Sequence, residues 1–450
     1  MSDHITLRRG LDLKLKGATD SGAAPVAVKA GKVALVPDDF PGFTPKVVAK
    51  PGEKVVAGQP LLVDKNNPAI AIVSPVDGTV GEVVRGERRK ILRVTVDADP
   101  VQSSTAAAKA APKDEQSIRQ AMMEGGVWAM MRQLPYDIVP AADVKPRDIF
   151  VTAFDSAPLA SPLIDRVASQ TEAINAAIAA LGRLTDGHIY IGVRNSADLA
   201  AVKGDRLVIT EFEGPHPAGL ASVQAAAIAP VNKGETVWLL DIETLARIGQ
   251  VLTAGRADWS TIVALTGSEV ETPSLLTTTV GAEVAPLLKG RVAEADHHQR
   301  IISGNVLTGV TVAADGFLRY PYRQITVIPE GDDVDEFMGW ASMSPKKMSE
   351  SRTFLSKLFG KKSFAPDARL NGGRRAMIMS GEYEKVMPMD IMPEHLVKAI
   401  LARDIDRMEA LGIYEVTPAD FALCEYIDPS KLELQKIVRQ GLDYLRKELS

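Results

Sequence analysis

Two stretches, Ile149-Phe150-Val151-Thr152-Ala153-Phe154 and His188-Ile189-Tyr190-Ile191-Gly192-Val193, decide the fold of the central part of this chain. Both are short runs rich in apolar and β-branched residues, which is the composition of buried strands. Similar runs follow at 207–212, 237–242 and 262–265, and helical patterns separate them at 161–181, 220–228 and 243–253. Strands that alternate with helices predict a parallel sheet with crossover helices over about residues 118–267.

The region before this sheet is predicted to be a small barrel or sandwich. Between residues 26 and 98, short apolar runs alternate with turn signals such as Lys50-Pro51-Gly52 and Pro75-Val76-Asp77-Gly78. Glycine supplies the positive φ that tight turns need, and proline presets the corner. We therefore expect a β domain over residues 1–100, followed by an alanine- and serine-rich linker at 101–117.

The region after the sheet changes character twice. Short β-like runs return between 268 and 330, which predicts a second β domain. From 331 to 450 the pattern is helical, with apolar residues at helix spacing over 394–411 and 434–449.

Composition excludes several classes of protein. The 450 residues are 46% hydrophobic and 24% charged, with a net charge of -5, which is an ordinary globular balance without the basic excess of nucleic-acid binders. No apolar run approaches the roughly 18 residues that span a bilayer, and the first residues do not form a secretory signal. The chain is expected in the cytoplasm.

Metal chemistry is not predicted. The single cysteine, Cys424, excludes an intrachain disulfide and any iron–sulfur cluster held by this chain's thiolates alone. The six histidines show no pair at i, i+4 spacing with a carboxylate between them, so we expect no metal site.

Several short motifs occur in the order found in one family. The chain resembles, nearly from end to end, the NqrA family of sodium-translocating NADH:quinone oxidoreductase subunits. Motifs that carry the resemblance include Arg9-Gly10-Leu11-Asp12-Leu13, Gly214-Pro215-His216-Pro217-Ala218-Gly219-Leu220, Arg300-Ile301-Ile302-Ser303-Gly304, Ser351-Arg352-Thr353-Phe354-Leu355 and Tyr383-Glu384-Lys385-Val386-Met387-Pro388-Met389-Asp390-Ile391.

The resemblance implies a multidomain fold of α/β and β type. It names a biotinyl/lipoyl-like barrel-sandwich hybrid domain, a Rossmann-like α/β domain similar to a degenerate FMN-binding domain, a β-grasp (SLBB-like) domain and a helical C-terminal domain. It also implies a peripheral subunit on the cytoplasmic face of the cell membrane, without catalytic residues or cofactors of its own. Five other subunits, including integral-membrane ones, would carry FAD, FMN, riboflavin and iron–sulfur centres, oxidise NADH, reduce ubiquinone and export Na⁺.

Two stretches of the sequence indicate whether this chain can still bind an electron carrier. Distant relatives (the flavin-binding subunit of respiratory complex I and the RnfC protein of the Rnf complex) hold FMN phosphate on a glycine-rich loop, where this chain has Glu124-Gly125-Gly126-Val127-Trp128. A phosphate cradle needs several converging backbone N–H groups, and Glu124 would repel the anion. Their cluster-binding end keeps only Cys424 here, and the second cysteine of many family members is Asp428. We expect neither flavin nor cluster.

Three residues are candidate contacts for a quinone. His216 lies between a strand end and a helix start, where ligands bind in open α/β sheets, and its ring can hydrogen-bond a carbonyl. The alternative is a rigid Pro-Gly loop in which His216 shapes a turn. Trp128 and Arg132 would contact an aromatic headgroup if the old flavin cleft were reused; otherwise Trp128 fills a core.

Residues 344–362 form a candidate interface. Four apolar residues make one patch beside three lysines: Phe354, Leu355, Leu358 and Phe359 with Lys357, Lys361 and Lys362. This composition suits acidic headgroups or an integral-membrane partner, and a solvated surface helix is the alternative.

Two rival functions stay open at this point. One is a flavin-bearing electron-transfer protein resembling RnfC of the Rnf complex. The other is an independent quinone-binding module.

Overall fold

The structure is a computed structural model that describes residues 3–20, 22–102, 112–334, 347–348 and 363–449. The strands in these ranges are β1 (Asp3–Thr6), β2 (Val26–Ala27), β3 (Lys32–Leu35), β4 (Pro45–Val47), β5 (Lys54–Val55), β6 (Pro60–Asp64), β7 (Ala71–Val73), β8 (Gly78–Arg85), β9 (Ile91–Ala98), β10 (Arg132–Leu134), β11 (Asp148–Thr152), β12 (Ile189–Val193), β13 (Leu207–Glu213), β14 (Val237–Asp241), β15 (Ser260–Thr266), β16 (Ser274–Thr279), β17 (Gln299–Ser303), β18 (Val310–Val312) and β19 (Gln324–Pro329). The helices are α1 (Glu115–Glu124), α2 (Thr171–Leu184), α3 (Ala221–Ile228), α4 (Ile242–Ala254), α5 (Ala285–Leu288), α6 (Pro393–Ala402), α7 (Ile405–Ala410), α8 (Ala422–Ile427) and α9 (Leu434–Leu449).

The central sheet has six strands in the order β1-β13-β12-β11-β14-β10. All neighbours are parallel except β10, which runs antiparallel to β14. Alternate residues of β11 face opposite layers: Ile149 and Val151 join the core around α2 and α4, whereas Phe150 packs with Ala225 of α3. Burial on both faces explains why the three central residues of the strand, Ile149, Phe150 and Val151, are all apolar.

The edge strand of this sheet comes from the beginning of the chain. Residues 1–100 are predicted to form one domain, but β1 pairs in parallel with β13, from Asp3 opposite Thr210 to Thr6 opposite Glu213. Its four residues include a single apolar one, Ile5, so their pattern identifies neither a buried strand nor a partner sheet.

The first domain is built from two antiparallel sheets, β3-β9-β8-β5 and β4-β6-β7. Their inner faces share one core, which includes Leu61, Val80 and Val94. Gly78 opens β8 where no side chain fits, because a Cβ there would lie 2.2 Å from the carbonyl oxygen of Asp97. The predicted turn at residues 75–78 is therefore a close backbone approach.

A second six-stranded sheet has the order β18-β17-β19-β15-β16-β2. Residues 262–265 are predicted to be the last strand of the central sheet. In the structure, β15 instead pairs with β16 and β19 in this second sheet. An apolar run identifies a strand and not its sheet, since both sheets offer a buried position.

Among the described residues from 363 onward, the first α-helix begins at Pro393. Among the described residues 363–392 the structure has one short 3₁₀ turn, Tyr383–Lys385, and no α-helix, so the helical prediction was wrong there. The predicted helix over 394–411 breaks at Arg403, whose φ is +55°, and α7 starts anew where Asp404 accepts a hydrogen bond from the Arg407 N–H. Within the described ranges, no helix combines the length and apolarity needed to cross a membrane.

Candidate functional site

Ion pairs occupy the crevice beyond the carboxyl ends of the strands of the central sheet. In open α/β sheets ligands bind beyond the carboxyl ends of the strands, where the strand order reverses, and here that point lies between β11 and β14. Arg323, which directly precedes β19 of the second sheet, reaches into it. Its Nη2 lies 2.8 Å from Asp241 Oδ2, its Nε contacts Glu243, and Arg247 Nη2 lies 2.5 Å from Glu243 Oε1.

The arginines of this cluster keep the buried carboxylate of Glu243 ionised. Burial by itself raises the pKa of Glu243, but Arg323, Arg247 and Arg166 outweigh it and lower that pKa to about 2. Burial lowers the pKa of the Arg166 guanidinium to about 10, although Glu243 opposes the shift. The cluster was missed by sequence reasoning. The acidic residues Asp241 and Glu243, at and just after the end of β14, are a signal that could have indicated a polar site, but nothing in the pattern identifies Arg323 as their partner.

Side chains from other elements occupy the space beside the two glycines that follow α1. A Cβ on Gly126, whose φ is +76°, would lie 2.6 Å from Val73 Cγ2 of the first domain. A Cβ on Gly125 would lie 2.5 Å from Val251 Cγ1 of α4. The space beside these glycines is therefore taken by valines from two other elements.

Trp128 lies in the core. Its side chain has no exposed surface, its Nε1 donates a hydrogen bond of 2.8 Å to the Pro140 carbonyl, and its ring meets Trp238 edge-on at 5.1 Å between centroids. The Arg119 guanidinium lies 5.7 Å from the centroid of Trp128 and 5.6 Å from that of Trp238. This arrangement satisfies Trp128 without a ligand.

Arg132 joins two domains. Its side chain is largely buried, and its Nη2 donates a hydrogen bond of 2.6 Å to the carbonyl oxygen of Asp39 in the first domain. Because Arg132 begins β10 and His216 follows β13, three strands separate them, a span of roughly 20 Å. The structure does not bring these two candidates together.

His216 is held on both sides by hydrogen bonds. Its backbone N–H donates to Asp12 Oδ1 at 2.9 Å, and its Nδ1 lies 3.0 Å from Ser156 Oγ. Ser156 Oγ also accepts the Gly219 N–H at 2.8 Å, and because a hydroxyl can accept two hydrogen bonds while it donates one, either ring nitrogen of His216 can carry the proton. Burial lowers the pKa of His216, which keeps the ring neutral. Within the described part of the chain, Nε2 has neither a hydrogen-bond partner nor contact with solvent.

The region around Cys424 and Asp428 is closely packed, and the Asp428 carboxylate caps the following turn. Cys424 is buried with its Sγ 3.9 Å from the Tyr383 carbonyl, and burial raises the pKa of its thiol. Asp428 accepts the N–H groups of Ser430 and Leu432 at 3.0 and 2.7 Å. In the described residues, no group of three or more His, Cys, Asp or Glu side chains is arranged to hold a metal ion.

The predicted interface lies outside the described residues. This applies to each of its seven positions: Phe354, Leu355, Lys357, Leu358, Phe359, Lys361 and Lys362.

The fold and the filled crevice together define a multidomain protein in which an α/β sheet is covered by two flanking β domains. Three family models match it: the NqrA N-terminal barrel-sandwich hybrid domain over residues 5–99, the NqrA second alpha/beta domain over 113–257 and the NQRA C-terminal domain, of SLBB type, over 262–314.

Relatives match over the whole length. The NqrA protein of the Na(+)-translocating NADH-quinone reductase of Serratia proteamaculans is 36% identical, over 99% of this chain and 100% of that protein. The corresponding protein of Neisseria meningitidis strain Z2491 is 34% identical over the same shares of both chains. The chain therefore belongs to the NqrA family, whose members are subunits of the Na(+)-translocating NADH-quinone reductases.

A solved structure shows a weaker similarity. A chain of an NAD⁺-reducing [NiFe]-hydrogenase in the H₂-reduced state is 12% identical, with a TM-score of 0.38 over 74% of this chain and 61% of that chain. A similarity this low indicates nothing about function.

Proposed function

We propose that this chain is a peripheral, cofactor-free subunit of a membrane-bound Na⁺-translocating NADH-quinone reductase. It lies at the cytoplasmic face and organises the complex there. Five partner subunits, some of them integral to the membrane, carry the FAD, FMN, riboflavin and iron–sulfur centres. In this proposal the central domain is a Rossmann-like relic of an FMN-binding domain, and the second β domain is of the β-grasp type.

The observation that carries the proposal is the packing at Gly126. A phosphate cradle requires free backbone N–H groups at a helix N-terminus. Gly125 and Gly126 instead follow the C-terminal end of α1, their N–H groups donate to the carbonyls of Ala121 and Met123, and Val73 lies against Gly126. The cluster region supports the same conclusion, since iron–sulfur centres need several thiolates and Cys424 is the single cysteine of the sequence.

Purification in two settings tests this function. The isolated chain is expected to be colourless, without flavin absorbance and without stoichiometric iron. A tagged copy in its native host is expected to copurify with integral-membrane subunits and NADH-dependent, Na⁺-stimulated quinone reduction. A yellow isolated chain with one flavin per polypeptide would favour the flavin-bearing alternative.

A second candidate function, a quinone-binding module, has one observation in its favour. The Nε2 atom of His216 has no hydrogen-bond partner among the described residues, and in the tautomer that carries the proton there it would donate to a quinone carbonyl. Because Nε2 has no solvent contact, the loop at residues 214–220 must open before a quinone reaches it. Trp128 and Arg132 would belong to a different site.

Quinone titration separates the two candidates. Saturable binding of a short-chain quinone to the isolated chain, lost in His216→Phe and kept in the control His188→Phe, would support the module. Absence of binding to the isolated chain, while the intact complex reduces quinone, would leave the quinone site to the partners.

The segment with Phe354, Leu355, Leu358 and Phe359 stays part of the proposal as an interface with a membrane partner. Crosslinking from Lys357, Lys361 or Lys362 to an integral-membrane partner checks it. Crosslinks confined to other faces of the chain would contradict it.

A further inference from the structure

Exposed apolar side chains concentrate on one stretch of the C-terminal part. Between residues 370 and 401, five large apolar side chains are 43–59% exposed: Leu370, Ile378, Met379, Met392 and Leu401. Single exposed apolar residues are ordinary, but a group of them next to cations marks a binding surface.

The residues 370–379, which we call the Arg-Met segment, are held in place with their side chains outside. The N–H groups of Arg375 and Ile378 donate to the carbonyl and the hydroxyl of Ser430, at 3.0 and 3.2 Å. The following N–H groups of Ser380 and Gly381 donate to Glu394 Oε1, at 3.0 and 2.8 Å. The segment is thereby fastened to the first turn of α6.

The outer face of α6 continues this surface. Met392, His395, Lys398 and Leu401 follow at intervals of three and are all exposed. The opposite face buries Leu396, Val397 and Ile400 against the helical core. The exposed row has no structural partner among the described residues.

The charge of this surface is opposite to that of the whole chain. The net charge is -5, yet residues 368–381 contain no acidic residue and include Arg374 and Arg375. Arg374 forms an exposed ion pair with Glu433. In the part of the chain that the structure describes, Arg375 and Lys398 form no ion pair. Asp390 is the acidic side chain exposed beside Met392.

We propose that the Arg-Met segment and the outer face of α6 bind the headgroup layer of a bilayer that contains anionic lipids. Basic residues are attracted to anionic headgroups, and unbranched methionines enter the boundary below them without a matching pocket. This inference rests on the proposed function, which places a membrane beside the chain.

Vesicle flotation of the full chain tests the surface directly. The chain is expected to float with phosphatidylcholine–phosphatidylglycerol vesicles and not with phosphatidylcholine alone, and high salt should release it. The double change Arg374→Glu with Arg375→Glu should weaken binding at least about tenfold. Ile378→Ser with Met379→Ser should weaken binding at low salt by removing apolar contact, without changing how steeply binding falls as salt is added. Thermal unfolding of each variant confirms that it is folded.

Matched controls come from the first domain. Lys46→Glu with Lys50→Glu reverses two exposed lysines there, and Val48→Ser with Val56→Ser removes two valines that are 45% and 58% exposed. Both control variants are expected to bind vesicles as the unaltered chain does. Equal losses in the control and test variants would overturn the proposal, because they would reflect total charge or total apolarity.

Copurification in the native host distinguishes this inference from the proposed function. If the unaltered chain binds no vesicles but copurifies with membrane subunits, the lipid surface is wrong and the function stands. If vesicle binding is absent and Arg374→Glu with Arg375→Glu abolishes copurification, the surface binds a protein and the lipid proposal is likewise wrong. Vesicle binding without copurification would overturn the function and leave the lipid surface supported.

Discussion

At the scale of single residues, Gly126 gives a direct measure of how tightly the backbone after α1 is packed against the first domain. Gly126→Ala adds a Cβ 2.6 Å from Val73 Cγ2 at a φ of +76°, so both overpacking and backbone strain oppose it. We expect a loss of about 2–4 kcal/mol in the free energy of unfolding, measured by urea denaturation.

The control for this change is Gly234→Ala. Gly234 has a φ of +86° but no atom near the added Cβ, so it carries the backbone strain of about 1–2 kcal/mol alone. Val73→Ala in the Gly126→Ala background should recover part of the loss. Equal costs at the two glycines would mean that Val73 does not cover Gly126.

The carboxyl group of Asp420 is expected to make the free energy of unfolding depend on pH. It is buried, and it accepts the hydroxyl hydrogen of Ser222, a residue of α3 beside the central sheet, at 2.6 Å. Burial raises its pKa from 3.8 to about 6, against the hydrogen bonds from Ser222 and Thr417 that lower it. The folded chain thus holds this proton more tightly than the unfolded chain. Its contribution is complete below pH 3.8 and is lost as the pH rises through about 6.

The expected size follows from this shift. Between pH 4 and pH 7, the unaltered chain should lose about 2 kcal/mol relative to Asp420→Asn, which cannot titrate. Urea denaturation across this range measures the difference. Ser222→Ala removes a donor to the carboxylate and should move the midpoint of the pH dependence upward. A constant difference between the two proteins at all pH values would contradict the assignment to Asp420.

Individual residues were predictable from the sequence only where their role is local. The turn glycines and the absence of a thiolate set could be read directly, because each depends on residue type alone. The packing of Val73 on Gly126 and the contact of Ser222 with Asp420 join positions that are far apart in the chain. Their partners could not be identified without the fold.

At the scale of elements, the junction between α6 and α7 depends on one cap. Asp404 accepts the Arg407 N–H at 3.1 Å, so Asp404→Ala leaves this N–H without its partner at the start of α7. A loss of about 1 kcal/mol in the free energy of unfolding is expected. Asp406→Ala changes an exposed acid in the same turn that caps nothing, and should cost clearly less. A larger effect at Asp406 would show that charge, not the cap, matters.

Most elements of the central and C-terminal parts could be predicted, but their limits and partners could not. Residues 161–170 read as the start of a helix, whereas α2 begins at Thr171 and Arg166 bonds Ser161 at 2.7 Å in the preceding loop. The strand at β15 was found by its composition, yet its pairing with β16 and β19 depends on contacts that periodicity does not encode.

At the scale of the whole molecule, the buried ion cluster ties the central sheet to the second sheet. Arg323→Met removes the partner of Asp241 and one partner of Glu243, so two buried carboxylates lose a cation. A loss of about 3–5 kcal/mol is expected in urea denaturation. Arg374→Met, which breaks an exposed ion pair, should cost at most about 1 kcal/mol.

Removing the negative charges as well should rescue the variant. Adding Asp241→Asn and Glu243→Gln to Arg323→Met eliminates the uncompensated carboxylates and should restore part of the stability. If the triple variant is less stable than Arg323→Met alone, the carboxylates have other cations that suffice, and the cluster does not couple the two sheets.

The position of β1 has a consequence for how the chain is made. This strand leaves the ribosome first, but the strand it pairs with ends at Glu213. At about 5–20 residues per second, translation leaves β1 unpaired for roughly 10–40 seconds while the first β domain can already close beside it. Nascent chains halted before residue 213 would therefore carry a free N-terminal strand that a protease can reach, and slightly longer ones would not.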